Sequence, residues 1–274
     1  MFGDELKAGL IGRIDATDQD RFDKLSYDLT KIANPALDVT QLFTIDSKDG
    51  TLENKPGLDP GYYSFNVSVG DGKFISLGHV EVVVNQVSDT MVKSAVIVRL
   101  PRISPEEFIL KQKRPFLIAL RSSLKARVKD IYILSVQPAF ELSRSSRDTQ
   151  NYQPWNEYNA KKQSSYPSVD VLFAIEKSPG RFYPRNWLRK QLVKHLKHLE
   201  AASGLRNMRI IEDMCTNADC NNGVCVDTME LDEKVTVKIT TKMSSYITPQ
   251  HHHIWICECN VGYTGKLQIQ QTLT

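Results

Sequence analysis

Residues 1–88 read as a succession of short β-strands. Apolar and β-branched positions gather at Leu10–Ile14, Leu25–Leu29, Leu42–Ile45, Tyr62–Val69 and Gly78–Val84, several alternating with polar residues at the two-residue period of a half-buried strand. Tyr63, Phe65, Val67 and Val69 share one face, and Ser64, Asn66 and Ser68 the other. The joins carry turn residues: Asp46–Gly50, Asn54–Gly57, Asp59–Gly61 and Asp71-Gly72. Strands separated by turns about every ten residues indicate a β-sandwich. No helical period is visible in this stretch.

Residues 89–213 change character. Val92–Leu100 reads as a strand, and Ser104-Pro105-Glu106-Glu107 as a helix start, with a capping serine, a proline at the first helical position and a glutamate placed to close a capping box. Pro115 is expected to divide or restart that helix. Phe116, Leu117, Leu120, Leu124 and Val128 then recur on one helical face. Lys129–Val136 is a second strand, Ser143–Pro167 a polar loop without period, and Val169–Ile175 a third strand. A second helix follows Pro184, with Leu188, Leu192, Leu196 and Leu199 inward and Gly204 as its stop, before a fourth strand at Met208–Ile211. The order β-α-β-β-α-β predicts a ferredoxin-like α+β domain, an antiparallel sheet with one face under two helices.

Residues 214–274 hold all five cysteines, 215, 220, 225, 257 and 259, spaced C-x4-C-x4-C-x31-C-x-C. Such a terminal cluster indicates a small cross-linked module and an oxidising compartment. The length of 274 residues suits about two average domains, and the 41% apolar content excludes a disordered chain. A net charge of +3 argues against a strong nucleic-acid binder. No apolar run reaches the 18 or so residues of a membrane span, so no membrane insertion by this chain is expected. The acidic opening Met1–Glu5 does not resemble a signal peptide. With an oxidising compartment, that implies a piece of a larger extracellular protein. Asn66-Val67-Ser68 is a glycosylation acceptor on the wet face of its strand.

Little here suggests catalysis. There is no Gly-x-Ser-x-Gly elbow and no phosphate loop, so the chain is not expected to be an enzyme. His251, His252 and His253 beside Cys257 and Cys259 invite a zinc reading, but three consecutive histidines cannot all point inward on a strand. They read as a surface cluster. His195 and His198, interleaved with lysines, read as a solvated helix face. Lys111, Lys113, Arg114, Arg121, Lys125, Arg127 and Lys129 offer a patch for acidic glycans or lipid headgroups. Glu5, Asp18, Asp20, Asp59 and Asp71 stand at or beside turns and strand ends. Converging carboxylates there would suit a hard cation such as calcium; separately they are solvated turn residues.

The cysteine spacing with Gly262-Tyr263-Thr264-Gly265 resembles an EGF-like module stretched by an insertion. That resemblance implies the pairs Cys215–Cys225 and Cys220–Cys257, and leaves Cys259 unpaired because the sixth position is Gln268. Asp15–Asp20 with Leu25-Ser26-Tyr27, Phe43–Asp46 with Gly50-Thr51-Leu52, Leu58-Asp59, Tyr63–Val67 and Gly70-Asp71-Gly72 resemble a cadherin repeat in order and distance. Beyond them, Val96–Leu100, Ser104–Phe108, Ile133–Pro138, Val169–Glu176 and Tyr246–His253 resemble the membrane-proximal stretch after the last repeat of Fat-like atypical cadherins. The resemblance implies three parts: a last cadherin repeat with a Greek-key sandwich at 1–88, a ferredoxin-like membrane-adjacent domain at 89–213, and an incomplete EGF-like module at 214–274. It implies Glu5, Asp18, Asp20, Asp59 and Asp71 as ligands of an inter-repeat calcium site. Leu58-Asp59-Pro60 replaces the family's Asp-Arg-Glu triad and Asn85–Asp89 its calcium linker, so the site is expected to be weak or incomplete. The implied role is a non-enzymatic stalk at the extracellular face of the plasma membrane. It would serve calcium-dependent adhesion, with homophilic contacts and planar-polarity signalling made to other cadherin ectodomains through upstream repeats. The alternative is a calcium-independent spacer, or a weak binder of acidic glycans or lipid headgroups. SEA-type domains of similar fold cleave themselves at a Gly-Ser motif that this chain lacks.

Overall fold

Tyr63, Phe65 and Val67 are buried while Ser64, Asn66 and Ser68 stay half exposed, so the sequence alternation survives in three dimensions. The computed structural model describes residues 6–20, 22–30, 38–139, 167–217, 220, 222–241 and 244–260. The chain divides into two units, Met1–Ser88 with Lys238–Ile247, and Asp89–Val237 with Thr248–Thr274.

In the first unit β1 (Gly9–Arg13), β4 (Thr51–Asn54) and β3 (Phe43–Ile45) form one antiparallel sheet in that order. The second is ordered β2 (Ser26–Thr30), β5 (Gly61–Gly70), β6 (Ile75–Val84). Both sheets contribute to one core, where Phe43 of β3 lies 4.9 Å from Phe65 of β5 between ring centroids. Two elements were not legible in the pattern. A single helical turn, α1 (Val39–Leu42), starts where the Asp38 carboxylate accepts from Thr40 N–H at 3.1 Å. The strand β4 carries only one large apolar side chain, Leu52. The turn before β4 depends on Gly50, which has φ +73°; a Cβ there would sit 2.8 Å from the Ile14 carbonyl oxygen and 2.9 Å from the Tyr27 ring.

In the second unit the sheet runs β11 (Arg209–Ile210), β7 (Val96–Pro101), β9 (Ser168–Ser178), β8 (Ile131–Pro138), every neighbour antiparallel, with β10 (Arg181–Phe182) on the end of β9. The strand expected from Val92 begins later, because Asp89–Ser94 form a short helix, α2. Ser104 Oγ accepts from Glu107 N–H at 3.2 Å to start α3 (Pro105–Glu107). A π-helical turn over 108–112 then absorbs the missing N–H of Pro115 before α4 (Lys113–Leu124). Lys125 ends α4 in the left-handed conformation, so Val128 lies beyond the helix and is exposed. The leucine helix is two pieces, α5 (Arg185–Lys194) and α6 (Leu196–Ser203), closed by left-handed Gly204. The polar loop expected at 143–167 lies, up to residue 166, outside the described residues.

Phe116 of α4 meets Phe173 of β9 edge-on at 5.7 Å, and the register Val96–Phe173, Val98–Val171, Leu100–Val169 sets these residues under the helices. The other face carries Ile97, Arg99, Asp170, Leu172, Ser135 and Gln137, and it too is buried. Its cover is the long hairpin formed by β12 (Gly223–Thr240) and β13 (Ser245–Cys259). Ser135 Oγ donates to Pro249 O at 2.8 Å, and Thr248 Oγ1 accepts from Val136 N–H at 3.2 Å. The Gln137 amide behaves as a surrogate strand, donating to His251 O at 3.1 Å and accepting from His251 N–H at 2.9 Å. The unit is therefore layered as helices, sheet and hairpin, and it extends past residue 213 to include most of the cysteine-bearing segment. Gly50→Ala is expected to destabilise the first unit by about 1–3 kcal/mol through left-handed strain and crowding, read by urea denaturation.

Candidate functional site

The acidic residues of the first unit occupy three connections. Between β1 and β2, Asp18 Oδ1 accepts from Asp20 N–H at 2.7 Å and Asp20 Oδ1 from Phe22 N–H at 3.1 Å. Asp59, ahead of β5, offers its carbonyl to the Tyr63 hydroxyl at 2.8 Å. Between β5 and β6, Asp71 Oδ1 accepts from Phe74 N–H at 2.6 Å and Lys73 N–H at 2.7 Å, and these bonds hold its carboxyl below the usual carboxylate range. Asp18, Asp20 and Asp71 thus close their own turns. Among the described residues no three His, Cys, Asp or Glu side chains converge as metal ligands. The described residues alone do not fit a calcium cage of six to eight oxygens. Glu5 lies outside the described residues.

The second unit holds a buried ionic cluster that the sequence reading did not single out. Asp227 of β12 has a side chain 5% exposed, paired with Arg189 Nη1 at 2.8 Å, Arg185 Nη1 at 3.4 Å and His253 Nε2, and it accepts from Met214 N–H at 3.2 Å. Burial pushes its pKa up, but the His253 hydrogen bond, the charges of His253 and Arg189 and the Met214 N–H outweigh it and hold the group at about 2. Arg189 also reaches Asp213 at 3.7 Å. Arg185 donates to Val92 O at 2.9 Å, Ala95 O at 2.8 Å and Asp227 O at 2.6 Å. One guanidinium thus ties the end of α2 to the hairpin. A faint signal existed: arginine in the first turn of α5 opposes the helix dipole, which is tolerated where the cation has a fixed partner.

His251 and His253 are buried, which corrects their reading as a surface cluster. On a strand they share a face with Trp255, and that face points inward. His251 Nδ1 lies 2.9 Å from Ser135 Oγ, and burial, with the charges of His252, His253 and Arg99, lowers its pKa to about 3. Disulfides join Cys215 to Cys225 and Cys220 to Cys257, while Cys259 is an exposed free thiol. Gln268 lies outside the described residues. Asn66 sits half exposed on β5, its Oδ1 3.0 Å from His79 Nδ1. In the basic stretch, Lys111 pairs with Glu107 at 3.6 Å and Arg127 with Asp130 at 2.7 Å. Lys113, Arg114 and Arg121 line a groove with Leu110, Ile118 and Val128. His198 Nδ1 lies 2.9 Å from Ser123 Oγ between the two helices.

Asp227→Ala is expected to cost about 3–5 kcal/mol in denaturant unfolding, because it removes the carboxylate paired with the buried Arg185 and leaves the buried Arg189 only the longer contact to Asp213. His251 is neutral when folded and binds a proton near pH 6.5 when unfolded. Its contribution is complete above pH 6.5 and is lost as pH falls towards 3, with a slope of at most about 1.4 kcal/mol per pH unit. Urea midpoints at pH 7, 6 and 5 should fall steeply for the wild type and less steeply for His251→Asn.

No protein-family model matches the chain. It is 31% identical over 260 residues to Protocadherin Fat 1 of Homo sapiens, covering 95% of this chain and 5% of that protein. It is 26% identical over 272 residues to the Fat-like cadherin-related tumor suppressor homolog of Drosophila melanogaster, covering 97% of this chain and 6% of that protein. The Protocadherin-like wing polarity protein stan of the same fly is 23% identical over 270 residues, covering 97% of this chain and 7% of that protein. The chain spans only a small part of these relatives, and over nearly its whole length it is similar to a segment of Fat-like cadherins.

Proposed function

We propose that the chain is a non-enzymatic extracellular stalk segment of a Fat-like cadherin, held near the outer face of the plasma membrane. In this reading residues 1–88 are a last cadherin repeat of Greek-key type, 89–213 a ferredoxin-like domain, and 214–274 a divergent EGF-like module whose insertion is the hairpin. The strand order β11–β7–β9–β8 and the disulfides 215–225 and 220–257 support those assignments. Contacts to other cadherin ectodomains, adhesion and polarity signalling would belong to repeats upstream. Asn66 would carry a glycan on the sheet's wet face.

The observation that carries the stalk reading is the pin formed by Arg185. The segment leading into the second unit, α2 and Ala95, is tied through one guanidinium to β12. The Cys220–Cys257 bridge in turn closes the hairpin across its base. Tension entering near Asp89 and leaving near Cys259 therefore meets a buried ionic tie and a covalent bond.

Calcium enters as a shared ligand. Glu5, Asp18, Asp20, Asp59 and Asp71 would supply part of a site that a preceding repeat completes. The groove at Lys113, Arg114 and Arg121 favours a second reading, a spacer that binds acidic glycans or lipid headgroups weakly, and retention on heparin at physiological salt would support it. The decisive experiment melts this chain beside a version extended upstream by one repeat, with and without millimolar calcium. A ligand that binds only the folded form raises the melting temperature. The extended version alone is expected to respond; silence from both would remove calcium from the proposal.

A further inference from the structure

Two seams hold the hairpin to the second unit, and they differ in kind. The first is ionic: Asp227 of β12 meets Arg185 and Arg189 of α5, and the Cys220–Cys257 bridge closes the same end of the hairpin. The second is uncharged. Val136 N–H donates to Thr248 Oγ1 at 3.2 Å, His251 N–H to Gln137 Oε1 at 2.9 Å, and Ser135 Oγ to Pro249 O at 2.8 Å. With its hydroxyl proton committed to Pro249, Ser135 Oγ accepts from His251 Nδ1, 2.9 Å away. The network thus fixes His251 as the neutral tautomer with its proton on Nδ1. Its Nε2 is buried without a hydrogen-bond partner among the described residues.

A second proton, on Nε2, would meet no acceptor there. β8 faces the ring with Ser135 and Gln137, β7 with the Arg99 cation, and β13 with His252 and His253. Asp170 of β9 is spent on Arg99 through both oxygens, each at 2.8 Å. Asp227 lies beyond His253 and is shared with Arg185 and Arg189, and Asp213 reaches Arg189 at 3.7 Å.

We propose that the uncharged seam is an acid-sensitive latch: near pH 5.5 His251 takes a proton, Thr248–His251 part from β8, and the ionic seam keeps the hairpin attached. Burial, then the charges of His252, His253 and Arg99, hold the docked ring at a pKa of about 3, against about 6.5 in water. Closure is therefore fully favoured above pH 6.5 and weakens as pH falls towards 3, with opening about tenfold more frequent at pH 5.5 than at pH 7.4. Asp227, held at about 2, stays ionised across that interval, so the two seams do not yield together. Parting uncovers Leu172, whose register partners are Ser135 and Ile97, and acid turns a sealed apolar face into an accessible one.

The test is amide hydrogen exchange of the full chain at pH 7.4 and 5.5, each rate divided by its intrinsic value at that pH. Val136 and His251 N–H report on the latch, and Met214 N–H, bonded to Asp227, reports on the ionic seam. Val136 and His251 are expected to lose about tenfold in protection at the lower pH, while Met214 and the amides of α4 keep theirs. His251→Asn, whose amide can still donate to Ser135, should abolish the pH response of Val136, whatever it does to protection at pH 7.4. His252→Asn, at a partly exposed position on the other face of β13, should leave that response intact. Unchanged protection at Val136 overturns the proposal. So does an equal loss at Met214 and α4, which is global unfolding, or a response that survives His251→Asn. If that variant does not fold, the wild-type contrast between Val136 and Met214 decides by itself.

Discussion

β7 and β9 are dry on both faces, and the rest of the second unit answers to that requirement. An antiparallel sheet with helices on one side can leave its other side to water. This one places Ile97 and Leu172 there, beside the Arg99–Asp170 pair with both hydrogen bonds at 2.8 Å. Such a face needs a cover that also satisfies its polar groups. The hairpin meets both needs, since Ile254 and Trp255 are buried while Pro249, Thr248 and His251 answer Ser135, Val136 and Gln137. The pairing is made by side chains, which lets β13 attach to the sheet without extending its backbone ladder.

The ionic cluster follows from the same arrangement. Burying an arginine is costly unless its donors are used, and desolvation does lower the pKa of Arg185. Its donors are spent on two carbonyls near α2 and on Asp227, so the cation holds together elements far apart in sequence. The lowered pKa values of Asp227 and His251 are two expressions of one fact: the layer beneath the hairpin admits charge only where a counter-charge is already fixed.

Much of the fold was legible because periodicity reports one buried face at a time. The alternation of 63–68 located β5 and its core side, and Ser104-Pro105 located the start of α3. The third layer was not legible. In β7 every residue from Val96 to Leu100 is buried, and such an unbroken run says that both faces are covered without saying by what. Nothing singled out Arg99 and Asp170, because a sequence does not reveal that two charges stand opposite each other. The triple histidine misled for a similar reason. Alternation was applied to all three residues together, when it separates His251 and His253 from His252. At the acidic turns, residue type suggested a cation while local geometry shows Asp18, Asp20 and Asp71 engaged with their own backbones.

The hairpin is also late. Its bonds to β8 join residues 112 to 116 positions apart, and β7, β8, β9 and β11 all precede it in the chain. During synthesis the sheet is complete while its second face still lacks a roof, leaving Ile97 and Leu172 open to solvent until residues 248–259 emerge. Contacts so distant in sequence form slowly, and an unroofed apolar face is what chaperones recognise. Maturation of this segment is therefore gated by β13, and the bridge from Cys220 to Cys257 becomes available only once that strand has left the ribosome.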